Sequence, residues 1–281
     1  MIVRKKTIKK IVFAWRRLSS KWRTLPHFVI IGAQKSGTSS LHAYLAQHPQ
    51  ILPASRKEVH YFSGGSGQKV DNYEKGLLWY SAHFPLKRQL SGGKISFEAT
   101  PVYLFHPEVP QRIFEALPKA KLIVLLRDPA ERAISHYYFD NKNRSVVLPI
   151  KNAMEQEEEL LSEILRNNQY KDPLFYGSSY KSRGLYYDQI KRYLKYFPKE
   201  QLLIIDSESL FDETHQTLKI IFAFLGVDDK LTISDTQPRR VNEAREKPGP
   251  EIYQYLNDYF AKPNQLLFEL IGERFDWGKS R

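Results

Sequence analysis

Lys35, Gly37 and the hydroxyls of Ser36, Thr38, Ser39 and Ser40 stand together in FVIIGAQKSGTSSL, residues 28–41, where an apolar run breaks into a turn rich in glycine and hydroxyls. That combination grips a phosphate-like anion. Gly32 and Gly37 permit a sharp turn and let backbone approach a ligand closely. The residues behind them open a helix whose unpaired amides and positive dipole end favour negative charge. The nucleoside-triphosphate form of this turn reads GxxxxGK[ST], with lysine directly after the second glycine and a hydroxyl for magnesium. Here Lys35 stands two residues before Gly37, and Thr38 takes the lysine's place. A lysine inside the turn reaches a bridging or leaving oxygen, but the standard magnesium-nucleotide grip is missing. A bland glycine turn between strand and helix is the competing reading.

A second element repeats this grammar in KLIVLLRDPAERAISHYYF, residues 121–139. Leu122–Leu126 reads as a buried strand, Arg127 stands at its carboxyl end, and Asp128 with Pro129 caps the following helix. An arginine there lies on the ligand edge of a parallel sheet, so Arg127 can hold a second phosphate bidentately beside the Ser135 hydroxyl. A surface ion pair with Asp128 or Glu131 is the alternative.

The elements that must position these groups follow from the apolar runs. Strands are expected at 28–31, 95–99, 122–126 and 202–205. Helices are expected near 36–47, 109–117, 129–142, 150–166, 183–197, 213–225 and 250–260. Continuous apolar strands alternating with helices make an α/β fold, a single P-loop-type domain with a central parallel β-sheet flanked by helices. With 281 residues, 42% hydrophobic and 13% aromatic, the chain has ample material for one core, and it carries no repeats.

These motifs resemble the sulfotransferases that use 3′-phosphoadenylyl sulfate (PAPS). QKSGTSSL looks like their 5′-phosphosulfate loop and LLRDPAERAISHYY like their 3′-phosphate element. RKEVHYFS at 56–63 is similar to the segment after the loop in the heparan sulfate (glycosaminoglycan) branch, and FEATPVYLFHPEVPQRI at 97–113 to its substrate-side segment. RGLYYDQIKRYLKYFPKEQLLIIDSESL at 183–210, FLGV at 224–227 and LNDYFAKPNQLLFELIGERFDW at 256–277 continue the likeness, which spans residues 26–277 in order.

The resemblance implies roles. It assigns Gln34, Lys35, Ser36, Gly37, Thr38, Ser39 and Ser40 to the donor's phosphosulfate and Arg127 with Ser135 to its 3′-phosphate. Glu58, the glutamate of the KExHxF-type segment, becomes the base that takes the acceptor proton. Spacing agrees, because the 23 residues from Lys35 leave room for one helix and a return strand to the same sheet edge. An ion pair of Glu58 with Arg56 or Lys57 is the plainer reading. His60 is the rival base, since imidazole has the more suitable ordinary pKa. Two residues along a strand it would share a face with Glu58 and orient it or the substrate. Lys57, Thr100 and Pro101 join His60 on the acceptor side. The family also closes a basic, glycine-bearing loop over the 3′-phosphate. The matching stretch is NEAREKPGP at 242–250, where Arg245 and Lys247 supply charge without the usual lysine-glycine-arginine order. Animal members carry a disulfide nearby, whereas this chain has no cysteine.

Residues 144–181 are less determined. Their helix carries Glu155 and Glu157–Glu159 and turns apolar at Leu160, Leu161, Ile164 and Leu165. It reads either as a solvated acidic helix or as a lid shaping the acceptor cleft.

The net charge of +12 suggests nucleic acid at first, but its distribution argues against that. Residues 1–26 hold Arg4, Lys5, Lys6, Lys9, Lys10, Arg16, Arg17, Lys21 and Arg23 with no acid, leaving 34 basic against 31 acidic residues elsewhere. Ile8, Ile11, Val12, Trp15, Leu18, Trp22 and Leu25 recur through the same stretch at helical spacing. Residues 1–26 therefore read as a basic amphipathic N-terminal segment and 27–281 as the sulfotransferase domain. Such a segment either lies on a membrane surface or packs on its own domain. No stretch is long and apolar enough to be a transmembrane segment, and no signal peptide stands out. The expectation is a cytoplasmic enzyme, peripheral on the inner membrane surface, although animal relatives are usually anchored in the Golgi.

Three functions remain open. The first is sulfuryl transfer from PAPS, without a metal, to a hydroxyl or amino group of a carbohydrate or glycan, with a non-carbohydrate small molecule or lipid as the variant. The second is a P-loop nucleotide kinase, which would need magnesium. The third is a non-catalytic module that binds membranes or polyanions, which would lose its function on deletion of residues 1–26.

Overall fold

Alternate residues of the apolar runs face opposite sides of one sheet, and both sides are covered. The computed structural model describes residues 2–65, 71–142, 145, 147–239 and 247–278, with the backbone alone for 2–7 and 9. Five strands, Phe28–Gly32 (β1), Ile51–Pro53 (β2), Ile95–Ala99 (β3), Lys121–Leu126 (β4) and Leu202–Asp206 (β5), pair in parallel in the order β2-β3-β1-β4-β5. The helices are Ile2–Leu18 (α1), Thr38–Leu45 (α2), Leu77–Ser81 (α3), Val109–Ala116 (α4), Pro129–Asp140 (α5), Ile150–Arg166 (α6), Pro173–Gly177 (α7), Tyr186–Leu194 (α8), Ser207–Asp212 (α9), Thr214–Leu225 (α10) and Pro250–Ile271 (α11).

Phe28, Ile30, Phe97, Ile123 and Leu125 pack one sheet face onto Leu41 and Leu45 of α2 and Ile221 and Phe222 of α10. Val29, Ile31, Leu122, Val124 and Leu126 pack the other face onto Ile113 of α4 and Ile190 and Tyr193 of α8. Both sets are fully buried, which is why these strands read as continuous apolar runs rather than alternating ones. Ala130, Ala133, Ile134 and Tyr137 of α5 share a third cluster with Met154 of α6 and Ile252, Leu256 and Phe260 of α11.

Several expectations needed correction. β2 is a fifth strand absent from the expected set: three residues ending in proline carry almost no periodic signal, and proline fits there because β2 lies at a sheet edge. α2 begins at Thr38 rather than residue 36, because Lys35 and Gly37 adopt left-handed backbone with φ of 71° and 88°. The helix expected from 183 is preceded by a 3-10 turn at Ser182–Gly184, and α8 starts at Tyr186. α11 does not stop at 260 but runs through Pro263 to Ile271, because Leu267 continues the apolar stripe into the main core. Packing there outweighs the hydrogen bond that a proline cannot make. The short helices α3, α7 and α9 had no periodicity long enough to be read.

The cap at α5 formed as expected. Asp128 accepts from the amides of Ala130 at 2.8 Å and Glu131 at 3.2 Å, and Pro129 occupies the first helical position. At the end of β1, Gly32 lets the Pro101–Tyr103 turn close over the strand. A β-carbon on Gly32 would lie 2.5 Å from Leu104 Cβ and 3.2 Å from Pro101 O. Gly32→Ala is therefore expected to cost about 1–3 kcal/mol through overpacking, read as a lower urea midpoint at unchanged slope.

Candidate active site

The order of strands reverses at β1. The chain leaves β1 toward β2 and β3 on one side, then crosses to β4 and β5 on the other. Loops after β1 and β4 consequently diverge and leave a crevice at the carboxyl edge of the sheet, the place where open α/β sheets bind ligands. A cavity of about 840 Å³ fills it. Gln34, Lys35, Gly37, Thr38 and Ser39 line it from the loop after β1, and Arg127 and Ser135 from the end of β4 and from α5.

Gly37 shapes this loop. Its φ of 88° suits glycine, and the Phe211 ring of α9 lies 2.8 Å from where a β-carbon would stand. The Ser207 hydroxyl donates to Ser36 O at 3.0 Å, so α9 braces the loop from behind. Lys35 carries its ammonium 4.2 Å from the centre of the Phe139 ring. Ser36 and Ser40 are buried, and Ser40 Oγ accepts from the Arg239 amide at 2.8 Å. Arg239 itself lines the cleft, a cation whose only sequence signal was a basic pair after Pro238. Arg127 faces the cleft while its guanidinium donates to Glu131 at 3.2 Å, so the ligand-edge position and the ion pair coexist. Lys247 is exposed just before α11, and Arg245 lies outside the described residues.

A smaller cavity of about 380 Å³ adjoins the first. Gln34, Glu58 and Pro101 line both cavities, and Glu58 is the one ionisable group they share among the described residues. His60, Tyr176 and Arg183 line the smaller one only.

Glu58 and His60 meet for a reason the sequence did not suggest. Residues 57–60 form no strand. Both residues adopt left-handed backbone, with φ of 60° and 55°, and this turns the His60 Nε2 to 3.6 Å from Glu58 Oε2. Lys57 Nζ lies 2.7 Å from Glu58 Oε1, and Arg56 donates to the Glu58 carbonyl at 2.9 Å. Burial pushes the Glu58 carboxyl upward, but the neighbouring His60 ring and the Lys57 ammonium outweigh it and hold the group at about 2. Left-handed backbone at a non-glycine residue costs energy, and Lys35, Glu58 and His60 all adopt it at the cleft.

A buried layer supports these groups. Thr100 lies fully buried rather than on either cavity wall and donates to Glu98 at 2.9 Å. Tyr80 and Tyr103 donate to the same carboxyl at 2.5 Å and 3.2 Å. Burial raises Glu98, and its three hydroxyl donors oppose the rise. Arg183, wholly buried and lowered to about 10 by that burial and by Arg132, donates to the Gln34 side chain and to the carbonyls of Phe175 and Tyr176 at 3.2 Å each. It thus ties the loop after β1 to α7. α6 is not simply a solvated acidic helix: Glu157 is buried and accepts from the Ser182 amide at 2.7 Å. α7 brings Pro173, Tyr176 and Gly177 to the smaller cavity, so residues 144–181 help build its wall. Among the described residues no cluster of three or more His, Cys, Asp or Glu side chains could hold a metal ion.

Residues 25–247 match the sulfotransferase domain. The chain belongs to the sulfotransferase family. Bovine bifunctional heparan sulfate N-deacetylase/N-sulfotransferase 2 (Bos taurus) is 31% identical over 88% of this chain, although the match spans only 29% of that protein. The membrane-associated sulfotransferase kil1 of Dictyostelium discoideum is 28% identical, covering 92% of this chain and 68% of the relative. A crystal structure of a sulfotransferase from Alicyclobacillus acidocaldarius superposes with a TM-score of 0.69 at 32% identity, over 90% of this chain and 98% of that one. The chain is thus a PAPS-dependent sulfotransferase enzyme on the expected fold.

The charge environment of Glu58 gives this sulfotransferase a testable pH behaviour. A carboxyl held at about 2 stays ionised far below the ordinary 4.5, so the Glu58 carboxyl followed by carbon-13 NMR should titrate toward 2. Lys57→Met removes a cation that favours the carboxylate, so this titration should move up toward 4.5. A titration that stays in place in the variant would mean that Lys57 does not set the ionisation of Glu58.

Proposed function

We propose that this sulfotransferase moves the sulfuryl group of PAPS to a hydroxyl of a carbohydrate acceptor, with Glu58 as general base and Lys35 stabilising the leaving phosphate. The observation that carries the reading is the position of Glu58 at the junction of the two cavities. A donor in the larger cavity and an acceptor in the smaller one would meet at its carboxylate.

The residues present fit the donor. A glycine turn opens α2 onto the larger cavity, and five cations, Lys35, Lys57, Arg127, Lys142 and Arg239, line it. When bound, PAPS supplies the sulfuryl group and a bisphosphate leaving group. Lys35 would hold the 5′-phosphate side, with Gln34, Gly37, Thr38 and Ser39, while Arg127 and Ser135 hold the 3′-phosphate. The other work belongs to side chains of the smaller cavity. Glu58 accepts the acceptor proton, His60 keeps the carboxylate oriented, and Tyr176 with Pro101 offers walls against which a sugar ring can rest. A carboxyl held at about 2 is a weak base, and Lys57 is one reason. Lys57 also lines the larger cavity, so an anionic donor gives its ammonium a competing partner. Each step of that ammonium away from Glu58 raises the basicity of the carboxylate just when the acceptor needs it.

The glycan part of the reading is supported by the heparan sulfate relatives, among them human heparan sulfate glucosamine 3-O-sulfotransferase 5, 27% identical over 93% of this chain. The amino group of an amino sugar is the variant acceptor. The Dictyostelium relative, named as membrane-associated, supports work close to a membrane.

The test is transfer of radiolabelled sulfate from PAPS to a panel of sulfated and unsulfated glycans, lipids and small hydroxylated metabolites, with Glu58→Gln as the control. The variant should lose roughly 100- to 10,000-fold in kcat, the usual share of general base catalysis, while its affinity for adenosine 3′,5′-bisphosphate stays within about threefold. Wild-type turnover in Glu58→Gln would end its assignment as the base. Label appearing only in lipids or small metabolites would end the glycan assignment.

A further inference from the structure

Six large apolar side chains near the start of the chain face outward. Ile8, Ile11, Val12, Trp15 and Leu18 lie on α1 and Trp22 in the turn behind it, and each is between 51% and 73% exposed. At 3.6 residues per turn the five helical ones fill a stripe about 120° wide.

The helix is nonetheless attached, by its other side. The Phe13 ring lies 4.6 Å from that of His83 and meets Trp79 edge-on at 6.0 Å. Arg16 donates to the carbonyls of Ala82 at 2.7 Å and Phe84 at 2.8 Å, and Arg23 donates to Phe84 O at 2.8 Å. This polarity is the reverse of what folding alone would choose. A helix that only covers its own domain turns its apolar stripe inward and its arginines to water. Here arginines, one ring and the hydrogen bond from the Ser81 hydroxyl to Ser20 O at 3.2 Å make the attachment while the stripe stays in solvent.

Charge says what the stripe fits. Lys10, Arg17 and Lys21 are exposed on the same segment, and residues 1–26 contain no acid. Next to Trp22 a hollow of about 440 Å³ is lined by Leu86, Lys87 and Arg88, so the basic surface continues onto the domain. An apolar stripe that carries tryptophan and adjoins a basic surface has the parts of a helix that lies in the interface of an anionic bilayer. Among the described residues no helix is long and apolar enough to cross a membrane.

We propose that residues 8–22 are an interfacial docking segment for an anionic lipid bilayer. Trp15, Leu18 and Trp22 enter the headgroup boundary, and Lys87 and Arg88 beside Trp22 lie against the headgroups. The attachment through Arg16 and Arg23 holds the domain at a fixed orientation to that surface. The inference goes beyond the proposed transfer reaction and does not depend on which acceptor the enzyme uses.

The test is co-sedimentation of the full chain with vesicles of phosphatidylcholine alone or mixed with phosphatidylserine, at low and high salt. Two variants accompany it, Trp15→Ser/Leu18→Ser/Trp22→Ser on the stripe and Lys87→Gln/Arg88→Gln on the domain. Binding of adenosine 3′,5′-bisphosphate checks that each variant is folded. The wild type should sediment with the mixed vesicles and be released by salt. The stripe variant should lose binding about tenfold or more, and the domain variant about fivefold for each cation removed. Failure to bind mixed vesicles, or equal binding by wild type and stripe variant, would overturn the proposal. So would a concentration-dependent dimer in vesicle-free velocity sedimentation that the stripe variant abolishes, since the stripe would then belong to a second copy of the chain.

Discussion

Everything at the cleft depends on one topological constraint, the reversal of strand order at β1. Because the chain leaves β1 toward β2 and β3 on one side and leaves β4 toward β5 on the other, the loops after β1 and β4 must diverge. The crevice between them is a consequence of the sheet and needs no special loop. What the loops add is chemistry suited to an anion. The turn after β1 brings Lys35 and the start of α2, and the end of β4 brings Arg127, whose neighbour Asp128 caps α5 and fixes its start. The full burial of β1 and β4 on both faces keeps these two loop origins in register.

Backbone strain is concentrated at the two cavities. Four non-glycine residues among those described have positive φ, and three of them, Lys35, Glu58 and His60, border the cavities. Such conformations cost on the order of 1–3 kcal/mol each and persist when surrounding contacts hold them. The contacts are visible: the Glu58 amide donates to Ala99 O at 3.0 Å, Asn72 donates to His60 O at 3.1 Å, and Phe211 and Ser207 of α9 brace the loop before α2. The left-handed turn at Glu58 places its carboxylate between two cavities and beside two potential cations. A regular strand would have projected Glu58 and His60 as neighbours on one sheet face instead.

Much of this was legible in the residues, and the limits have physical causes. Strands buried on both faces announce themselves as apolar runs, and caps such as Asp128–Pro129 mark helix starts, so β1, β3, β4, β5 and most long helices could be read. β2 could not, because three edge residues carry no period. The proximity of Lys35, Glu58 and Arg127 could be anticipated, since all three lie at carboxyl ends of parallel strands or just beyond them. The partners that come from far along the chain could not. Phe211 against Gly37, Arg239 beside Ser40 and Arg183 on Gln34 are tertiary contacts across 149 residues or more, and no local pattern encodes them. Glu157 read as one of a row of solvated acids because its burial depends on where residues 181 and 182 return to meet it. Arg245, offered for the donor's 3′-phosphate, falls outside the described residues.

The central claim is that the crevice between β1 and β4 holds the donor's bisphosphate through cations and loop amides, without a metal. Calorimetric titration of the full chain with adenosine 3′,5′-bisphosphate in the presence of a chelator, and in parallel with magnesium ATP, tests it most directly. The account predicts tight binding of the bisphosphate in chelator and little heat from magnesium ATP. Preference for magnesium ATP, or bisphosphate binding that disappears with the metal, would contradict it.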